Sequence, residues 1–164
     1  MLPFDPISEA RRNWQAHDWR AVDAMSAATS ITRANQLVIG RINEALAPFD
    51  LTFSRFEALA LLHFSRRGSL PLGKMGDRLM IHPTSVTNAI DRLERDGLVR
   101  RIPHSVDRRT VLAEITDEGR RVVIKAADAL ADIEFGLAGL SPRTIRVLDD
   151  AIGKLRRDAG DFGG

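Results

Sequence analysis

Thr84, Ser85, Thr87 and Asn88 follow directly behind Pro83, and Arg92 lies about two turns further along the same segment. Small hydroxyl and amide side chains hydrogen-bond in both directions and are short enough to let a helix approach the edges of nucleic-acid bases. An arginine on the same side reaches a phosphate or a guanine. A second cluster, Arg100, Arg101, Arg108 and Arg109, puts four guanidinium groups within ten residues, opposed there only by Asp107. A hairpin tip carrying arginines can place one in a minor groove, where negative potential concentrates. A structural reading stands beside this one: an amphipathic helix with a solvated face, and an Asp107–Arg109 pair that only shapes the loop. Both can hold at once, with Asp107 and Arg109 as the brace and Arg108 as the contact.

The elements that would position these residues can be read from periodicity. Pro83 opens a helix that Gly97 closes, and its apolar face is Val86, Ile90 and Leu93. Before it, Leu72, Met75 and Leu79 share one face of a short helix, and Met80-Ile81-His82 makes a tight turn. After Gly97 the period changes to two: Leu98 to Pro103 and Thr110 to Thr116 read as strands flanking a polar, basic loop that includes His104, a further candidate for a phosphate. Two short helices and a basic hairpin make a winged helix-turn-helix over residues 54–116.

Long helices flank this unit. Asp5-Pro6 caps a short helix running towards Trp19. Residues 21–47 carry the stripe Val22, Met25, Ala28, Ile31, Asn35, Val38, Ile42, Leu46, a helix about 40 Å long at 1.5 Å per residue. Ser54 and Glu57 form a capping-box pattern for the next helix, along which Phe56, Leu59, Leu62 and His63 run. Thr116 caps a helix with the stripe Val122, Ala126, Leu130, Ile133, Leu137, and Ser141-Pro142 opens a last one with Ile145, Leu148, Ile152 and Leu155. A single winged helix covers only part of these stripes, so a two-fold homodimer is expected to bury the rest, with residues 1–50 and 117–164 as its helical dimerisation region. The fold class expected is mainly α with a small β-hairpin wing.

Charge follows the same division. Residues 54–116 hold eleven lysines and arginines against seven acids, and the rest of the chain thirteen against fifteen. A basic middle fits a DNA-reading module. No run of 18 apolar residues exists to span a membrane, and the N-terminus lacks the pattern of a signal peptide, so a cytoplasmic location is expected. Cysteine is absent, and His17, His63, His82 and His104 show no metal-ligand spacing. No hydrolase, metalloprotease or phosphate-loop motif occurs, and no cofactor is expected.

The segments Leu72 to Leu79, His82 to Asn88, Leu93 to Arg101, and Asp107-Arg108-Arg109 before Leu112 to Gly119 together resemble the MarR family of bacterial regulators, over residues 21 to about 157. The resemblance implies a triangular homodimer on a pseudo-palindromic double-stranded operator, often released by a small anionic or phenolic ligand. It places Thr84, Ser85, Thr87, Asn88 and Arg92 at the major groove and the wing arginines, Arg108 and Arg109, at the minor groove. The N-terminal segment, with Trp14, His17, Trp19 and Arg20, resembles the extra helix of the family's urate-responsive subgroup. There an acidic residue, here Glu57, and an arginine complete a pocket, but Ala89 stands where that arginine would be. The resemblance leaves room for another carboxylate or aromatic effector on Trp19, His17 and Arg20 or Arg78. The tryptophans equally suit packing anchors. Three functions stay open: a ligand-responsive repressor, an architectural DNA-binding dimer without effector, and an enzyme whose winged helix serves only for dimerisation.

Overall fold

Three helices begin with a polar cap followed by proline. Asp5 accepts the Ile7 N–H, Ser141 accepts that of Thr144, and the His82 ring nitrogen Nδ1 accepts that of Thr84. Thr116 caps a fourth through the Gly119 N–H. Each side chain satisfies a donor that the first turn leaves orphaned, and proline lacks the N–H that would otherwise need a partner. The computed structural model describes residues 2–104 and 110–162.

The helices are α1 (Pro6–Ala16), α2 (Val22–Leu46), α3 (Phe53–Phe64), α4 (Leu72–Leu79), α5 (Pro83–Arg95), α6 (Asp117–Asp132) and α7 (Pro142–Asp158). Strands β1 (Ser69–Pro71), β2 (Val99–Pro103) and β3 (Val111–Ile115) form an antiparallel sheet in the order β1-β3-β2. Val99 pairs with Ile115 and Pro103 with Val111, so β2 and β3 are the arms of the expected wing. The His104 N–H donates to the Thr110 carbonyl at 3.1 Å and continues the hairpin past the ladder. β1 lies between α3 and α4, where the sequence shows no alternating strand pattern. It is a three-residue edge strand paired on one side only.

One core ties the reading unit to the long helices. Ile42 and Leu46 of α2, Phe56, Leu59 and Leu62 of α3, Met75 of α4, Val86, Ile90 and Leu93 of α5, and Val123, Ala126 and Leu130 of α6 are buried together. Gly119 sits at the joint of wing and α6, where a Cβ would meet the Leu98 carbonyl oxygen at 2.2 Å, so only glycine lets these backbones approach.

Two elements depart from their sequence pattern. The helix expected from Ser54 starts one residue earlier, at Phe53, with Thr52 at the cap position. Neither Ser54 nor Glu57 caps it. Asn43, ten residues upstream on α2, accepts the Phe53 N–H at 2.9 Å, a tertiary cap that a local motif cannot reveal. The stripe expected to run unbroken to Leu137 stops at Asp132, and Glu134 and Phe135 take positive φ. Arg41 of α2 explains the break: its guanidinium donates to the Gly136 carbonyl at 2.7 Å, anchoring the turn to α2.

α7 carries an apolar face that its own chain leaves uncovered. It buries none of its side chains within the chain. Val147 and Leu155 are 60% and 55% exposed, and Leu148 and Ile152 lie beside them on an open face.

Candidate nucleic-acid interface

α5 divides its residues as an amphipathic helix must. Val86, Ala89, Ile90 and Leu93 are buried, while Thr84, Ser85, Thr87, Asn88 and Arg92 are exposed. α4 packs against it from behind, across the turn Met80–His82, and Met80 takes the left-handed conformation (φ 54°) that lets the chain reverse in so few residues. The Thr87 hydroxyl donates to the Pro83 carbonyl at 3.1 Å, which leaves its oxygen as an acceptor. Asn88 and Arg92 make no side-chain hydrogen bond or ion pair among the described residues, so their donors are free for another molecule.

Ser85, Asn88 and Arg92 form one row along α5 and line a cleft of about 420 Å³ whose other wall is Thr52, Ser54 and Arg55 at the start of α3. Arg55 is held there by Asp96 at 3.5 Å and by the Thr52 hydroxyl at 3.4 Å. Two guanidinium groups and several hydroxyls therefore converge beside the exposed face of α5, a donor set suited to a phosphate. Arg55 and Thr52 escape a sequence reading because they precede α5 by some thirty residues, and only the packing of α3 on α5 brings them alongside.

Two arginines of the wing strand β2 are engaged within the chain. Arg100 pairs with Glu114 across the β2–β3 ladder, and Arg101 pairs with both Asp91 and Glu94 of α5. Two of the four clustered guanidinium groups thus serve internal carboxylates. Arg108, Arg109 and the Asp107–Arg109 brace lie outside the described residues.

The residues suggested for an effector divide into separate groups. Trp14 and Trp19 meet edge to face at 4.5 Å between ring centres, and the Trp14 indole N–H donates to the Arg20 carbonyl at 3.0 Å. His17 lies beside Trp19, with its Nδ1 at 2.8 Å from the Asn13 carbonyl. The hollow that Trp14, His17 and Trp19 share with Asn13 is about 140 Å³, well below the roughly 300 Å³ of a small-molecule pocket. Glu57 is half-buried on α3, where burial raises its carboxyl pKa. Arg78 is exposed on α4. α1 packs on α2 and makes no substantial contact with α3 or α4. One chain does not gather these six residues into a site.

Comparison with known proteins places this geometry. The MarR family model matches residues 51–111. The uncharacterized HTH-type transcriptional regulator YhbI of Bacillus subtilis is 37% identical over 92 residues, which are 56% of this chain and 58% of that protein. The organic hydroperoxide resistance transcriptional regulator of the same organism is 30% identical over 65% of this chain and 71% of its own length. The crystal structure of Sco5413, a MarR family transcriptional regulator from Streptomyces coelicolor, is 45% identical, with a TM-score of 0.81 over 88% of this chain and all of that one. The chain belongs to the MarR family. The match to the MarR model spans α4, α5 and the start of the wing, so the row on α5 falls within the family's shared winged-helix unit. MarR proteins are transcriptional regulators and not enzymes, which sets aside the enzymatic reading. α1 lies outside the segment matched by the MarR model, and with it both tryptophans.

Proposed function

We propose that this MarR-family chain binds a pseudo-palindromic operator as a homodimer and that a small anionic or aromatic ligand releases it. α5 enters the major groove, with Ser85, Thr87 and Asn88 at base edges. Arg92 and Arg55 grip flanking phosphates, and Arg108 and Arg109 reach the minor groove. The carrying observation is the free row Ser85, Asn88, Arg92 on a helix whose opposite face is wholly buried. The dimer rests on α7, whose apolar side chains find no cover within one chain.

A specific observation favours the second reading, a DNA-binding dimer without effector: the hollow beside Trp14, His17 and Trp19 is only about 140 Å³, and Glu57 and Arg78 lie elsewhere. Release by a ligand held on these residues would need a second subunit to complete their pocket. Selection of bound sequences from random duplexes should return an inverted repeat. Melting scans and gel shifts on that sequence against aromatic and organic acids then separate the readings. A compound that raises the melting temperature and frees the operator supports the effector. A panel in which no acid does either supports the architectural dimer, and recovery of no preferred sequence removes both.

A further inference from the structure

Asp91 and Glu94 lie one turn apart on α5, beside the face proposed to meet DNA, where two carboxylates would repel phosphates. Arg101 of β2 engages both. Its Nη2 contacts Asp91 Oδ1 at 2.5 Å, its Nη1 meets Glu94 Oε2, and its backbone N–H donates to Glu94 Oε1 at 2.9 Å. The side chain is 27% exposed, so the fork is partly withdrawn from water. Burial alone would lower the arginine's pKa, but the hydrogen bonds it donates to Asp91 and Glu94, with their negative charge, outweigh it and the net direction is upward. Among the described residues no other ion pair joins α5 to the wing. The only covalent link is Asp96-Gly97-Leu98, in which Gly97 takes φ 72°. On its other side β2 is held by the Arg100–Glu114 pair.

We propose that Arg101 is a positioning residue for operator recognition: its two-carboxylate clamp fixes the wing against the recognition helix, so that both enter their grooves together, and keeps Asp91 and Glu94 off the phosphates. This deepens the DNA-reading assignment of α5 and rests on it. The guanidinium fork is required, because a lysine ammonium is a point charge that cannot span two carboxylates and hold their geometry. Arg101 then serves DNA binding without touching DNA.

The test compares Arg101→Lys with the wild-type dimer on the selected operator and on a scrambled duplex of equal length, at several salt concentrations. The clamp predicts that operator affinity falls about tenfold while scrambled-duplex affinity and the salt slope stay near wild type, because charge is kept and geometry is lost. Equal loss on both duplexes with a slope reduced by about one would mean a direct phosphate contact and would overturn the proposal. An unchanged ratio between the two duplexes would overturn it as well. Should Arg101→Lys not fold, Asp91→Asn with Glu94→Gln loosens the clamp from the other side. It should raise scrambled-duplex affinity, since two negative charges are gone, and still lower the preference for operator. A preference kept at the wild-type ratio in that variant overturns the clamp. Asn88→Ala is the control: if neither it nor the wild type distinguishes the duplexes, the assignment of α5 itself fails, whereas a normal Asn88→Ala loss beside an unaffected Arg101→Lys sinks the clamp alone.

Discussion

Thr87 and Asn88 are neighbours on α5 with different capacities. Thr87 spends its proton on the Pro83 carbonyl, whereas Asn88 keeps an amide donor pair and a carbonyl. An amide of that kind pairs in a bidentate fashion with adenine in the major groove. Asn88→Ala should therefore weaken operator binding by roughly 1–3 kcal/mol and relax preference at a single base position, as competition with a panel of single-base operator variants would reveal. A flat panel for both proteins would remove Asn88 from base reading. Glu57 presents the opposite case, a half-buried carboxyl with no ion-pair partner among the described residues. Because burial raises its pKa in the folded state, the ionised form opposes folding above that pKa, and the penalty fades as pH falls through the unfolded value. Glu57→Gln should raise the melting temperature at pH 7.5, and the gap should close by about pH 4. A melting temperature lowered at pH 7.5 would show instead that the charge is held by a partner.

At the scale of elements, helix boundaries were legible wherever a cap lies next to its own helix. Asp5-Pro6, His82-Pro83, Thr116 and Ser141-Pro142 all start helices in the structure as their types demand. Boundaries set by distant residues were not legible. Asn43 caps α3 from α2, and Arg41 captures the Gly136 carbonyl where the α6 stripe reads as continuous. Periodicity reports which face is apolar and carries no information on where another helix breaks in. The arginine cluster illustrates the same limit, since nothing local shows that Arg100 and Arg101 face carboxylates on β3 and α5. The tight joint at Gly119 offers a test at this scale. Gly119→Ala drives a methyl into the Leu98 carbonyl and should destabilise the fold by about 1–3 kcal/mol, visible as a lower midpoint in urea. An unchanged midpoint would mean that the wing and α6 separate freely.

For the whole molecule, the apolar stripe of α7 was legible as an amphipathic face, and the structure leaves that face open in the single chain. The candidate effector residues were legible only as types, and within one chain Glu57 and Arg78 stand apart from the group of Trp14, His17 and Trp19. If α7 is dimer surface, Leu148→Glu with Leu155→Glu should yield a folded monomer by sedimentation, and operator affinity should fall roughly 100-fold as the second half-site is lost. A double variant that remains dimeric would assign that face to something else.

In the proposed dimer, two copies of α5 read one DNA face together. Chemical footprinting of the wild-type protein on its selected operator, with the number of bound chains measured on the same duplex, tests this most directly. Two protected major-groove segments centred about 10 bp apart, with two chains bound, are predicted. One protected segment with a single chain, or protection spread evenly along the duplex, would contradict it.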